Sequence, residues 1–68
     1  MERNIIAEIM ESKHLTLMEF AKQVGYDPSV ISRVRNRLQK MSHRMAFEIS
    51  RAFDYDLTEI MEIEVEGK

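Results

Sequence analysis

Apolar residues recur along this chain at the spacing of amphipathic helices. The first such group falls at i, i+1, i+4 and i+5 and consists of Ile5, Ile6, Ile9 and Met10. Residues at these separations share one face of an α-helix, so the pattern predicts a helix over residues 5–13. Together with the helix starts described next, it predicts an all-α domain of five helices.

Capping signals mark the start of every later helix. Thr16 and Glu19 form a capping box, in which each side chain can accept a hydrogen bond from the backbone N–H of the other residue. Leu15 before this cap and Phe20 after it have the spacing of the matching hydrophobic staple. The other predicted starts are Asp27 with Pro28 at the first helical position, Ser42 before a helix over 43–53, and Asp56 in a second capping box with Glu59.

The short separation of helices two and three is the most specific feature of this pattern. Helix two is predicted over about 17–24 and helix three from 28, and two helices joined by so tight a turn cross at a steep angle. Gly25 supplies the positive φ that the turn requires. Ala21 supplies a small side chain where the helices cross. The predicted anchors of helix three in the core are Ile31, Val34 and Leu38, at i, i+3 and i+7.

These residues make the chain resemble the Cro/repressor-type (Xre-like) helix-turn-helix family of small DNA-binding regulators. The resemblance covers roughly residues 5–61 without a gap. It rests on Leu15-Thr16, Phe20-Ala21, Val24-Gly25, Ile31-Ser32-Arg33-Val34, Ile49, Ala52-Phe53 and Leu57-Thr58-Glu59-Ile60. It implies a compact five-helix domain, here residues 1–61, that is often dimeric and places its third helix, about residues 28–39, in the DNA major groove.

Several positions depart from that family. Leu17 stands where the family commonly has a phosphate-binding Gln, so that contact would either fall to backbone N–H groups at the helix start or be lost. Met10 and Arg35 replace an Arg and a Glu that the family often pairs, and Met10 is expected to pack against the Arg35 stem. Arg37 replaces a frequent turn glycine, which predicts that helix three runs on to about Gln39.

Charge is distributed unevenly along the 68 residues, whose net charge is −2. Residues 28–51 contain 6 basic side chains and 1 acidic, whereas residues 52–68 contain 1 basic and 6 acidic. A basic middle segment attracts polyanions such as nucleic acids, and a solvated helical surface is the alternative explanation.

The polar residues of helix three are expected to point outward. Residues near the start of a recognition helix reach deepest into the groove, so the predicted base contacts are Pro28, Ser29, Ser32 and Arg33. Arg33 can donate two hydrogen bonds to guanine O6 and N7, whereas the two serines discriminate weakly. For Arg35 and Arg37 a surface ion pair is the alternative. The predicted phosphate contacts are Thr16, Leu17, Arg35, Asn36, Arg37, Lys40, His43 and Arg44.

The C-terminal region carries the predicted dimer interface. A single helix-turn-helix reads few base pairs, so a homodimer is expected. The acidic tail comprises residues 62–68, and from Met61 to Glu66 apolar and acidic residues alternate with period 2. This pattern predicts a short β-strand paired with the same strand of a second subunit; a frayed end is the alternative. The predicted interface residues are Tyr55, Leu57, Ile60, Met61, Ile63 and Val65, some of which would instead complete the core.

Other chemistry finds little support in the sequence. The chain has no cysteine, and His14 and His43 are far apart, so no metal and no cofactor are predicted. No nucleophile–base–orienter set or glycine-rich phosphate loop is visible, which argues against an enzyme. No apolar run approaches the about 20 residues that cross a membrane, and no small-molecule ligand is evident.

The sequence therefore predicts a cytoplasmic transcriptional regulator, prokaryotic or phage-encoded, that binds double-stranded DNA sequence-specifically. A repressor is favoured over an activator because a lone domain acts by occupying DNA. The alternative function is a protein-interaction module on the same fold, such as an antitoxin or anti-repressor. The basic outward surface of helix three favours DNA, because an acidic or apolar surface there would favour a protein partner.

Overall fold

A computed structural model describes residues 4–65, which are all helical apart from turns. The α-helices are α1 (Ile5–Lys13), α2 (Leu17–Val24), α3 (Pro28–Arg35), α4 (His43–Phe53) and α5 (Leu57–Ile60). A single π-helical stretch, Met61–Val65, continues directly from α5 and is called the tail segment below. The predicted all-α class and the five helices are confirmed.

The helix starts are formed by the predicted caps. Thr16 and Glu19 make both bonds of the capping box, with N···O distances of 2.8 and 3.1 Å. The Ser42 hydroxyl accepts from the Met45 N–H at 3.1 Å, and the Asp56 carboxylate caps α5. Each cap satisfies N–H groups that have no partner inside their own helix, so the boundaries follow from local sequence.

The core lies between the inner faces of all five helices. α2 packs against α3 and α4, and α4 packs against α5 and the tail segment. The rings of Phe20 and Phe53 stack with their centroids 4.9 Å apart and join α2 to α4. The fully buried side chains of this core include Ile5, Ile6, Ile9, Phe20, Ile31, Val34, Met45, Ile49 and Ile60.

The prediction that α3 runs on to Gln39 is wrong, because α3 ends at Arg35. Arg37 adopts the left-handed conformation, with φ of 63°, and reverses the chain. The proposed anchor Leu38 therefore lies beyond the helix, where the i+7 spacing no longer applies, and it is 76% exposed. Met41 enters the core instead and is 3% exposed.

The prediction of a C-terminal β-strand is wrong for the described part of the tail. Met61–Val65 is π-helical, and Ile63 and Val65 pack partly buried against the core of their own chain. The period-2 alternation predicted Glu64 on a polar outer face, but Glu64 lies inside and is 7% exposed. Residues 66–68 of the predicted strand lie outside the described residues.

Candidate nucleic-acid interface

The turn between α2 and α3 has the predicted geometry. Gly25 ends α2 with φ of 78°, and the backbone N–H groups of Gly25 and Tyr26 both donate to the Ala21 carbonyl, at 2.9 and 3.0 Å. Ala21 is buried between the packed helices. A side chain at position 25 would meet nothing within 4 Å, so glycine is required here by its backbone conformation and not by space.

The N-terminal end of α3 is organised by Asp27. Its carboxylate accepts from the backbone N–H of Ser29 at 2.9 Å and from the Ser29 hydroxyl at 2.8 Å. The bond from the Ser29 N–H is the main cause that lowers the pKa of Asp27 below its ordinary value. The bond from the Ser29 hydroxyl and the charge of Arg33 lower this pKa further. The Ser29 hydroxyl thus has its proton directed at Asp27 and its lone pairs available to a ligand.

Arg33 lies exposed on the outer face of α3, in the position predicted for a base-reading residue. Its Nε donates to Oε1 of Gln39 at 3.0 Å. Ser32, one residue before it, accepts a long contact of 3.4 Å from the amide nitrogen of Asn36. Gln39 was not among the predicted site residues, because the sequence pattern placed it at the end of a continuing helix and not on a returning loop.

The C-terminal end of α3 is closed by a Schellman motif. The Arg37 N–H donates to the Val34 carbonyl at 3.1 Å and the Leu38 N–H to the Arg33 carbonyl at 2.8 Å. The left-handed residue of this motif is usually glycine, and any other L-residue costs about 1–2 kcal/mol there. Arg37 therefore occupies a strained backbone position.

The side chain of Arg37 makes an ion pair with Glu64 of the tail segment. The Glu64 side chain is 1% exposed, and that of Arg37 is 38% exposed. The second carboxylate oxygen of Glu64 accepts from the Ile5 N–H at 2.8 Å, at the start of α1. Asn4, the N-cap of α1, donates to the Arg35 carbonyl at 2.6 Å. We call Asn4, Arg37 and Glu64 the α3-end cluster.

The predicted phosphate-contacting residues fall into two groups. One is the start of α2, where the capping box uses the N–H groups of Thr16 and Glu19 and leaves those of Leu17 and Met18 at a helix N-terminus. The other follows α3, where every predicted side chain is exposed: Arg35, Asn36, Arg37, Lys40, His43 and Arg44. Arg37 differs from the rest of this second group because Glu64 holds its guanidinium.

The residues predicted for a dimer interface are mostly engaged within the chain. Ile60 is fully buried in the core. Tyr55, Met61, Ile63 and Val65 are partly buried against it, and Leu57 is 36% exposed. Outside the predicted set, Phe47 on α4 is 48% exposed, with the Arg51 guanidinium 5.7 Å from its ring centroid.

A family model described as Helix-turn-helix matches residues 6–60 of the chain. This protein therefore belongs to the Cro/C1-type (Xre-like) helix-turn-helix family, whose members are DNA-binding regulators and typically not enzymes. No curated protein and no solved structure gives a significant match to the chain.

The described residues also bear on metal binding and on membrane insertion. Within residues 4–65, no three or more His, Cys, Asp or Glu side chains come together as a set that could hold a metal ion. Among the same residues, no helix is long and apolar enough to cross a bilayer.

Proposed function

We propose that this protein is a sequence-specific transcriptional regulator that acts as a repressor, with α3 in the major groove of double-stranded DNA. The observation that carries the proposal is the outward face of α3 and the loop after it, which is exposed and basic in a chain of net charge −2. Family membership supports the DNA-binding role. Such a regulator acts where the DNA is, in the cytoplasm of a prokaryotic or phage-infected cell.

Hydrogen bonds within the site support a specific reading of bases by Arg33 and Ser29. Because Gln39 accepts from Nε of Arg33, the two Nη groups are left to bond both O6 and N7 of one guanine. Because the Ser29 hydroxyl donates to Asp27, it offers DNA an acceptor. We expect Ser29 to favour a base with an amino group in the major groove, which is adenine or cytosine.

The remaining base contacts are weaker in discrimination. Ser32 keeps its hydroxyl proton, since its contact with Asn36 uses the oxygen as acceptor, and it can donate to guanine or thymine. Pro28 is partly buried at the first turn of α3 and offers an apolar surface to a thymine methyl or a sugar.

Phosphate contacts supply most of the affinity in this proposal. The hydroxyl proton of Thr16 and the backbone N–H of Leu17 would contact one phosphate at the start of α2, because the Thr16 N–H is already bonded to Glu19. Arg35, Asn36, Arg37, Lys40, His43 and Arg44 would line the second. Removing the charge of Lys40 or Arg44 should reduce the slope of log affinity against log salt by roughly one unit.

The proposed assembly is a homodimer on a pseudo-palindromic operator. Half-sites would lie roughly 34 Å apart, one turn of DNA, because the twofold axis of the protein must match that of the site. Leu57 and the partly buried Tyr55, Met61, Ile63 and Val65 form the candidate contact surface, which no longer includes a strand pair or the buried Ile60. Residues 1–61 would read DNA, and the described residues 62–65 of the tail would complete the domain.

Selection of bound fragments from random duplex DNA tests this function directly. We expect a recovered motif with twofold symmetry, a guanine at one position of each half-site and an adenine or cytosine at another. Recovery of no enriched sequence, together with binding that does not weaken as salt rises, would favour the protein-interaction alternative.

Replacement of Arg33 tests which residue reads the guanine. Arg33→Ala should weaken binding to the selected site by about 1–3 kcal/mol and relax preference at one base pair. Arg51→Ala is the matched control, because it removes the same charge from the exposed last turn of α4. Selectivity that is equal in the two variants would contradict the assignment of α3 as reader.

A further inference from the structure

Glu64 is a buried carboxylate whose two oxygens contact two different parts of the fold. One oxygen pairs with Arg37 just after α3, 27 residues away in sequence, and the other accepts from Ile5 at the start of α1, 59 residues away. Charged groups are seldom buried unless both their charge and their hydrogen bonds are satisfied. Here both are satisfied, so the position of Glu64 is fixed relative to α1 and to the end of α3.

Arg37 transmits this fixed position to the recognition helix. Its backbone forms the left-handed residue of the Schellman motif, and its own N–H and that of Leu38 donate to Val34 and Arg33. The same turn brings Gln39 back to Arg33, where its side chain accepts from Nε. Arg33 is therefore contacted twice by the same loop that carries the Arg37–Glu64 ion pair.

We propose that Glu64 is a positioning residue for DNA recognition, which fixes the end of α3 through Arg37 and so sets the orientation of Arg33 toward a base. The tail segment becomes part of the reading unit through Glu64, whose side chain is only 1% exposed. This inference rests on the proposed function. It also goes beyond it, because it assigns selectivity to a residue that is shielded from any ligand.

The decisive variant is Glu64→Gln, compared with two controls in the same 68-residue chain. Glutamine keeps an oxygen for the Ile5 N–H and removes the charge that holds Arg37. Glu62→Gln removes the same charge from an exposed position two residues earlier. Ser42→Ala, which removes the N-cap of α4, serves as a control for reduced stability without a change in the α3-end cluster.

The first measurement uses the free protein and needs no DNA. In Glu64→Gln, amide hydrogen exchange at Arg37 and Leu38 should accelerate at least about tenfold more than in Ser42→Ala, at temperatures equally far below each melting point. Glu62→Gln should exchange like the unmodified protein. Equal exchange in Glu64→Gln and Ser42→Ala would overturn the coupling of the tail segment to α3.

The second measurement is selectivity, defined as affinity for the selected duplex divided by affinity for the same duplex with its key guanine replaced. Glu64→Gln should lower this ratio about tenfold, while Glu62→Gln and Ser42→Ala leave it within about twofold. An unchanged ratio in folded Glu64→Gln would reduce Glu64 to a structural residue and overturn the proposal. Failure of the unmodified protein to prefer any duplex would refute the proposed function instead, and the exchange result would still decide the coupling.

A milder variant covers the case in which Glu64→Gln does not fold. Asn4→Ser keeps an oxygen to cap α1 but lacks the amide nitrogen that donates to the Arg35 carbonyl. It should change exchange at the end of α3 and the selectivity ratio in the same direction, by about threefold. Selectivity that does not change in this variant, while exchange does, would also contradict the proposal.

Discussion

The two ends of α3, the proposed recognition helix, are built in different ways. The N-terminal end is local: Gly25 turns the chain, Asp27 caps the helix, and Pro28 is its first residue, all within four positions. The C-terminal end is tertiary, because the left-handed Arg37 is held by Glu64, which lies 27 residues further along the chain. One end of α3 thus depends on its neighbours in sequence, and the other depends on the completed fold.

The left-handed residues that follow the helices show the difference between local and tertiary control most directly. α2, α3 and α4 are each followed by a left-handed residue: Gly25, Arg37 and Asp54. Glycine at position 25 adopts this conformation without strain. Arg37 and Asp54 both bear the strain, but Arg37 gains a buried partner, whereas Asp54 is exposed. The pairing with Glu64 in the α3-end cluster therefore offsets the strain of Arg37, a residue type that local sequence preference disfavours at this position.

The resemblance to the wider family gives this cluster a further meaning. That resemblance implies an Arg–Glu pair between helices one and three, and the matching residues here are Met10 and Arg35. The ion pair of Arg37 with Glu64 ties the same helix, at its end, to the tail segment. The Asn4 side chain adds a direct bond from the start of α1 to the Arg35 carbonyl. The C-terminal end of α3 is thus connected to the tail segment and to the start of α1 by residues other than the family's Arg–Glu pair.

The largest expected effect is the loss of stability in Arg37→Gly. Glycine relieves the left-handed strain but leaves the buried Glu64 charge without its cation, so the net loss is about 2–4 kcal/mol. The free energy of unfolding from urea titration measures it. The double variant Arg37→Gly with Glu64→Gln should recover most of the loss, and a double variant no more stable than the single one would contradict this account.

Gly25→Ala tests the N-terminal, locally determined end of α3 and should reduce stability less than Arg37→Gly does. The added methyl group meets nothing within 4 Å, so the cost is that of the left-handed backbone alone, about 1–2 kcal/mol. Thermal unfolding measures it. Replacement of Glu64 by Gln in the Gly25→Ala background should add its effect independently, because the two ends share no contact; strong non-additivity would break the comparison.

Asp54→Gly should raise the stability of the protein, whereas Arg37→Gly should lower it, although the two residues have similar φ angles. Asp54 is exposed and strained, so glycine is expected to stabilise the protein by about 1 kcal/mol. The melting temperature should rise by a few degrees. A destabilised Asp54→Gly would mean that this turn too depends on its side chain.

The smallest expected effect is the pH dependence of the local cap. The folded-state pKa of Asp27 is lowered, so its contribution to stability is present above the pKa of the unfolded chain, about 3.9, and is lost as pH falls through the folded-state value. Asp27→Asn keeps a capping oxygen but does not titrate. The stability of the unmodified protein relative to Asp27→Asn should therefore fall below about pH 4 and stay constant above about pH 5. NMR titration of the Asp27 carboxyl provides the direct check.

Local sequence determined where most helices of this protein begin and end. Thr16, Asp27, Ser42 and Asp56 cap helices at the predicted positions, and Gly25 makes the predicted turn. These features involve residues at most a few positions apart, so the chemistry that decides them is visible in the sequence. The family resemblance rests on the same short-range pattern, which is why it held over residues 6–60.

Tertiary structure decided the end of α3 and the fate of the tail. The spacing of Leu38 continues the helical period from Ile31, and no local signal opposed it; the helix stops because Arg37 turns to meet Glu64. The alternation around Ile63 and Val65 likewise fitted a strand, but the site that receives Glu64 exists only once α1 and α3 are packed together. A buried ion pair between residues far apart leaves no periodic mark in the sequence, since its energy depends on burial that the complete fold creates.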